Sequence, residues 1–303
     1  VVILVGAVVV IVKVWRNIER MRRGRFGRPL LRMVFGIAGV AGLYALWFYG
    51  GWGWGYDRAP LQTRVVYESS RLTPANVDAL RRRAISELNR LARPAHALND
   101  NAPRGEALAF ELLRNAWLPV VQRLGDRWTP EVGPAKPTLA GFFMDKNGTS
   151  GFTNPFTLET QLAPDLLWFE RPFSQAHEWS HVAGYNREDE ANYIAALTCM
   201  RDSDDVARYS GWLEIFLYLP GLPHYPHKMF VPEVWQDFTA LRERNARFVN
   251  IDFSRLSWRM YNSYLKSNRI ASGVRNYTEV TQLLITIPLD RSGLPVPSRD
   301  TMR

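Results

Sequence analysis

The sequence predicts a mainly α-helical protein with a small β element, an α+β domain behind N-terminal transmembrane helices. Three observations lead there. The run Met33 to Gly55 carries no charge and is long enough to cross a bilayer. Most of the remaining chain repeats its apolar residues at helical spacing. One stretch, "TLAGFFMDKNGTSGFTNPFTLETQL", changes to short β-prone runs broken by Asn, Gly and Pro. With 303 residues and 47% hydrophobic content, there is apolar material for one sizeable core and no signature of disorder.

The N-terminal elements follow from charge. Residues 1–12, "VVILVGAVVVIV", are apolar but too short to span alone, and the chain starts at Val1. We expect a truncated first transmembrane helix there. A signal peptide is disfavoured because its basic region would precede its apolar core. Residues 13–32 hold Lys13, Arg16, Arg20, Arg22, Arg23, Arg25, Arg28 and Arg32 against Glu19 alone, so most of the net charge of +9 sits in this one segment. The segment reads as a cytoplasmic loop in contact with anionic lipid, and no nucleic-acid-binding surface is expected elsewhere. Residues 33–55 form the second transmembrane helix, closed by an interfacial belt of Trp47, Phe48, Tyr49, Trp52 and Trp54. Residues 56–303 then form an extracytoplasmic domain.

Within that domain, "LTPANVDALRRRAISELNRLARP" has Thr73 as N-cap and Pro74 at the first helical position. "GEALAFELLRNAWLPVVQRLG" is a second helix, ended by Gly125. Asn147-Gly148 lies between two apolar runs and predicts a hairpin turn, with Pro155 marking the second run as an edge or bulged strand. Further helices are expected at about 204–219, 231–247, 252–267 and 275–286. A Pro-rich turn, "LPGLPHYPHKMFVP", interrupts them, and the tail after Leu289 reads as an ordered strap or a frayed end.

The chemistry lies in "HEWSHVAGYNREDEANYIAAL", from His177 to Leu197. His177 and His181 are four apart, so on a helix both imidazoles leave one face and can close on a single ion. Zinc takes neutral imidazole nitrogens and a third ligand, leaving a fourth position for water, and Glu178 lies beside it as general base. Ser174 is the expected N-cap of this helix and Gly184 its stop. A third histidine of the HExxHxxGxxH pattern would fall on Arg187, which cannot bind metal. The third ligand therefore comes from the next helix, where Glu188, Ala191, Asn192 and Ala195 share one face and Glu190, Tyr193, Ile194 and Leu197 another. Small Ala191 and Ala195 allow close approach and favour Glu188. The other glutamate serves the helix macrodipole.

At these residues a resemblance enters. "EDEANYIAAL" is similar to the ExxAD segment of membrane-bound gluzincin proteases of the CAAX-prenyl-protease type. "HEWSHVAGYNREDEAN", "SGFTNPFTLETQL" and "YNSYLKSNRIASGVRNY" together resemble a bacterial membrane-protein family known as domain of unknown function 3810, over most of the chain. The resemblance implies a zincin-like metallopeptidase domain in the bacterial cytoplasmic membrane, with Zn2+ held by His177, His181 and Glu188 and with Glu178 as base. Asn192 stands where the proteases have aspartate, so an amide replaces a charged partner behind the ligands. Histidine orientation survives such a change, and ligand basicity falls.

Other candidates weigh less. His224 and His227 fall in the Pro-rich turn and read as surface residues. Cys199 is solitary and reads as core. Tyr264 or Tyr277 is a candidate hydrogen-bond donor to a developing oxyanion, with core packing as the plainer role. The expected function is a membrane-anchored zinc peptidase acting on a protein or peptide substrate, aligned on the edge strand by β-augmentation. A zinc-stabilised sensor or scaffold without catalysis, and a zinc hydrolase of a non-peptide envelope substrate, are the alternatives.

Overall fold

The computed structural model describes residues 2–23, 27–100, 106–124, 129–138, 140–220, 227–267 and 279–298. It divides into two compact units, Val1–Gly51 and Trp52–Arg303.

The first unit is a pair of helices in mutual contact, α1 (Val2–Arg22) and α2 (Gly27–Gly51). α2 is long and apolar enough to cross a membrane, with a mean hydropathy of 1.7 over its most apolar window and none of that window buried. The basic segment is built mostly of helix rather than loop. α1 carries Lys13, Arg16, Arg20 and Arg22, and α2 takes up Arg28 and Arg32, because Lys and Arg are good helix formers and Pro29 fits a first turn. α2 also stops earlier than the expected Gly55. Gly50, Gly51 and Gly53 raise the cost of continuing the helix, and a 3₁₀ turn at Gly53–Asp57 follows.

The second unit is mainly helical around α7 (Glu188–Arg201), whose residues are buried continuously from Glu188 to Cys199. Its neighbours are α4 (Glu106–Arg123), α6 (Arg171–Val182), α8 (Asp205–Tyr218) and α11 (Val280–Thr286). A helix covered on all sides cannot show an apolar stripe, and its acidic first turn must find partners inside the protein. α3 (Pro74–Asp100) packs along α8 and has the expected cap, with the Asn76 amide donating to Thr73 Oγ1 at 3.2 Å. α9 (Pro232–Phe248) and α10 (Ile251–Ser267) match the expected 231–247 and 252–267. The tail after Leu289 is an ordered strap as far as Ser298, with Val66 N bonded to Val296 O at 2.8 Å and Ser298 N to Arg64 O at 3.1 Å. Gly125 and residues 221–226 of the Pro-rich turn lie outside the described residues.

The β element corrects one expectation. Asn147-Gly148 does not turn a hairpin. It ends a short helix, α5 (Gly141–Asn147), with Gly148 at φ 72° and its amide bonded to Asp145 O at 3.2 Å. A left-handed glycine serves a helix C-cap as well as a hairpin turn, so the dipeptide alone does not choose. The hairpin comes later. β1 (Gly151–Thr153) pairs antiparallel with β2 (Thr160–Leu162), in the register Gly151↔Leu162, Phe152↔Gln161 and Thr153↔Thr160. Pro155 sits in the connecting turn, where Phe156 N bonds Asn154 Oδ1 at 2.9 Å and Asn154 N bonds Glu159 O at 2.9 Å. Lys136 bridges to the other side of β2, which makes β1 the outer strand among the described residues. Strand alternation turns the peptide groups of Gly151 and Thr153 away from β2.

Candidate metal centre

The helix that carries the histidines starts earlier than its sequence suggests. α6 begins at Arg171 with Pro172 in its first turn, and Ser174 lies inside that turn, its own amide bonded to Glu170 O at 3.2 Å. Proline with its fixed φ nucleates the turn, and the serine is not the cap. The C-terminal expectation holds. α6 ends at Val182, Gly184 follows at φ 82°, and Tyr185 N closes on Ser180 O at 3.0 Å. The reversed chain reaches Glu188 as the first residue of α7.

This connection brings three donors together. His177 Nε2 is 3.2 Å from Glu188 Oε2, and His181 Nε2 is 3.7 Å from the same oxygen. One ligand atom from each of the three residues lies within 4.8 Å of the others, so the group could hold a metal ion. The surroundings fit that use. His181 Nδ1 is 2.8 Å from the carbonyl of Tyr185, a position that only an N–H can fill, which leaves Nε2 for the shared centre. Two imidazoles and one carboxylate form a donor set suited to zinc. Glu190 is directed elsewhere. Its Oε1 accepts the Leu61 amide at 2.8 Å and lies 3.6 Å from Arg187 Nε.

Electrostatics reflect acidic and basic groups crowded in a buried space. Burial opposes the charged form of His181, but the Glu188 carboxylate against it, helped by Glu178 and the Tyr185 carbonyl, pushes its pKa up to about 9. Burial also disfavours ionised Glu188, yet His181 and His177 overcome it and hold that carboxyl well below its ordinary range. Glu178 goes the other way. Its burial raises the pKa more than His177, His181 and the Thr153 hydroxyl lower it.

Several residues at this site carry no sequence signal of their role. Thr153 of β1 donates to Glu178 Oε2 at 2.6 Å, with the Glu178 carbonyl at 3.0 Å. A Cβ at Gly151 would stand 2.4 Å from Glu178 Oε1. Trp52, the first residue of this unit, places its ring 5.8 Å from that of His181, and its carbonyl accepts Asn186 Nδ2 at 2.7 Å. Arg58 donates to Ala183 O at 2.9 Å and lies over the Tyr185 ring at 3.9 Å. Trp52 and Arg58 thus bind the turn that joins α6 and α7.

Asn192, one turn beyond Glu188, accepts the Tyr218 hydroxyl on Oδ1 at 3.2 Å, and its Nδ2 is buried with no partner among the described residues. Cys199 is core, as expected. It is fully buried beside Gly211, and burial pushes its thiol up. His224, Tyr277 and the side chains of His227 and Tyr264 lie outside the described residues.

No curated protein and no solved structure matches this chain. A family model does match it, from residue 1 to residue 285, which takes in α1, α2, β1, α6 and α7. The chain therefore belongs to the family described as "Protein of unknown function (DUF3810)".

Proposed function

We propose that the protein is a membrane-anchored, zinc-dependent peptidase of gluzincin type, with His177, His181 and Glu188 as metal ligands and Glu178 as general base. One observation carries this reading: a buried carboxylate, hydrogen-bonded by Thr153 at 2.6 Å, stands next to a convergent group of two histidines and a glutamate. A purely structural metal site has no need of that extra acid, whose burial is unfavourable. Bound zinc would supply Lewis acidity, lowering the pKa of water and polarising a carbonyl. The residues do the rest. Glu178 takes the proton of the attacking water as its oxygen bonds to the carbonyl carbon, then passes that proton to the amine nitrogen as the C–N bond breaks. His181 is oriented by the Tyr185 carbonyl. The outer strand β1, with peptide groups turned away from β2, would align an extended substrate chain beside Glu178.

In this reading α2 is the membrane anchor, the basic end of α1 lies in the cytoplasm and the second unit lies outside. Glu178→Gln tests the chemistry. The amide keeps the shape and hydrogen-bonding capacity of the side chain but accepts no proton at neutral pH. Zinc content should stay at one per chain, and hydrolysis of a peptide library should fall by roughly 10²- to 10⁴-fold. Equal cleavage by wild type and variant would leave a metal-stabilised scaffold as the better account.

A further inference from the structure

We infer that Gly151 and Thr153 form a seat on β1 that fixes the Glu178 carboxylate, with Thr153 acting as a positioning residue for the base. The inference rests on the peptidase reading above and adds to it two residues outside the HExxH motif. Strand alternation puts residues 151 and 153 on the same face of β1, and that face lies over α6. The two residues meet the same carboxylate in opposite ways. Thr153 gives it a hydrogen bond, its hydroxyl donating to Oε2 at 2.6 Å. Gly151 gives it room, since a Cβ there would come within 2.4 Å of Oε1 and 2.7 Å of Cγ. Gly151 is not at positive φ, so space and not backbone conformation is what requires glycine.

A glutamate side chain loses considerable rotamer freedom when it is held in one pose, and two neighbouring imidazoles offer it competing partners. Thr153 supplies the only hydrogen bond to the Glu178 carboxylate among the described residues. It occupies Oε2 and leaves Oε1 as the oxygen available to take a proton. That one donated proton ties β1 to the helix that carries the base, and the Glu178 carbonyl lies 3.0 Å from the same hydroxyl. Base and outer strand are thereby held in one arrangement, as a reaction on a strand-bound chain requires.

The test needs no knowledge of the natural substrate. The full chain, purified in detergent and loaded with cobalt in place of zinc, is titrated with acetohydroxamate, whose hydroxyl proton passes to a neighbouring base on binding. The visible spectrum of the cobalt reads the affinity. Thr153→Val keeps the shape and removes only the hydroxyl. It should retain the metal and bind acetohydroxamate about tenfold more weakly, the scale of a charge-assisted hydrogen bond. Thr153→Ser should recover most of the lost affinity. Gly151→Ala should weaken binding as well, although it keeps the hydroxyl, and it carries the test if Thr153→Val does not fold.

Wild-type affinity in both Thr153→Val and Gly151→Ala, or equal weakening by valine and serine, would overturn the seat. Glu178→Gln separates the two levels of inference. If that change leaves acetohydroxamate binding at the wild-type level, or if the wild type holds no cobalt, the peptidase reading fails together with the seat built on it. If Glu178→Gln weakens binding and neither Thr153→Val nor Gly151→Ala does, the seat fails alone.

Discussion

Glu188 and Glu190 are two positions apart on one buried helix, and the protein puts them to different uses. Glu188 faces both histidines, whereas Glu190 receives the Leu61 amide and lies near Arg187. Burial, with the charge of Asp189 beside it, raises the Glu190 pKa to about 7 despite that amide and the nearby arginines. The two alanine variants should therefore fail differently. Glu188→Ala should lower zinc affinity by more than about 100-fold, beyond the loss expected from an outer partner. Glu190→Ala should keep zinc and lower stability by about 1–3 kcal/mol, because the Leu61 amide is left buried without its acceptor. Metal analysis and denaturant unfolding of both proteins check this, and the reverse pattern would mean that α7 presents its other face to the histidines.

At the scale of elements, α6, α8 and α9 meet through charge as well as apolar packing. Arg244 of α9 donates to Glu170 at 2.8 Å, immediately before α6, and Glu214 of α8 lies within reach of both charges. Burial, and then the Glu170 carboxylate, push the Glu214 pKa up to about 8, with Arg244 opposing. The sign of the consequence follows from proton counting. Between the ordinary value of 4.5 and about 8, the unfolded chain gives up this proton while the folded protein keeps it. Stability present below pH 4.5 is thus lost as pH rises through that window, and this contribution levels off above it. Glu214→Gln should remove the slope, so that the fall in Tm between pH 5 and pH 8 is smaller than in wild type by several degrees, at about 2–4 °C for each ~1 kcal/mol. Parallel melting curves check this, and equal slopes in the two proteins would mean that Glu214 ionises in the folded protein as it does in the unfolded chain.

For the whole molecule, one helix pair precedes a domain built around a buried helix, and Trp52, the first residue of that domain, lies at the candidate metal centre. Trp52 sits against His181, and Asn186 bonds its carbonyl. Gly55 allows that contact, because a Cβ there would come within 2.5 Å of Asn186 Nδ2. If α2 crosses the membrane as proposed, the basic end of α1 stays on the cytoplasmic side. A cysteine introduced by Arg22→Cys should resist an impermeant thiol reagent in intact cells and react after the membrane is opened. Reaction in intact cells would reverse the topology, with the basic residues carried outward against their usual bias.

Much of this was legible in the sequence because it is local. Helical spacing of apolar residues located α3, α4 and α8 to α10, and the absence of charge located α2. The four-residue interval between His177 and His181 puts both rings on one face of any helix, whatever surrounds it. Small Ala191 and Ala195 pointed to the face of Glu188, and that carboxylate lies against both rings. Tertiary structure decided the rest, since it depends on segments far apart in the chain. Asn147-Gly148 suits a helix end or a hairpin, and only the packed context selects the helix end. Thr153 meets Glu178 across 25 residues, and Leu61 meets Glu190 across 129. Neither contact leaves a periodic trace, because a hydrogen bond between distant segments needs one suitable side chain at one point, whereas a buried face needs the same kind of residue at every turn.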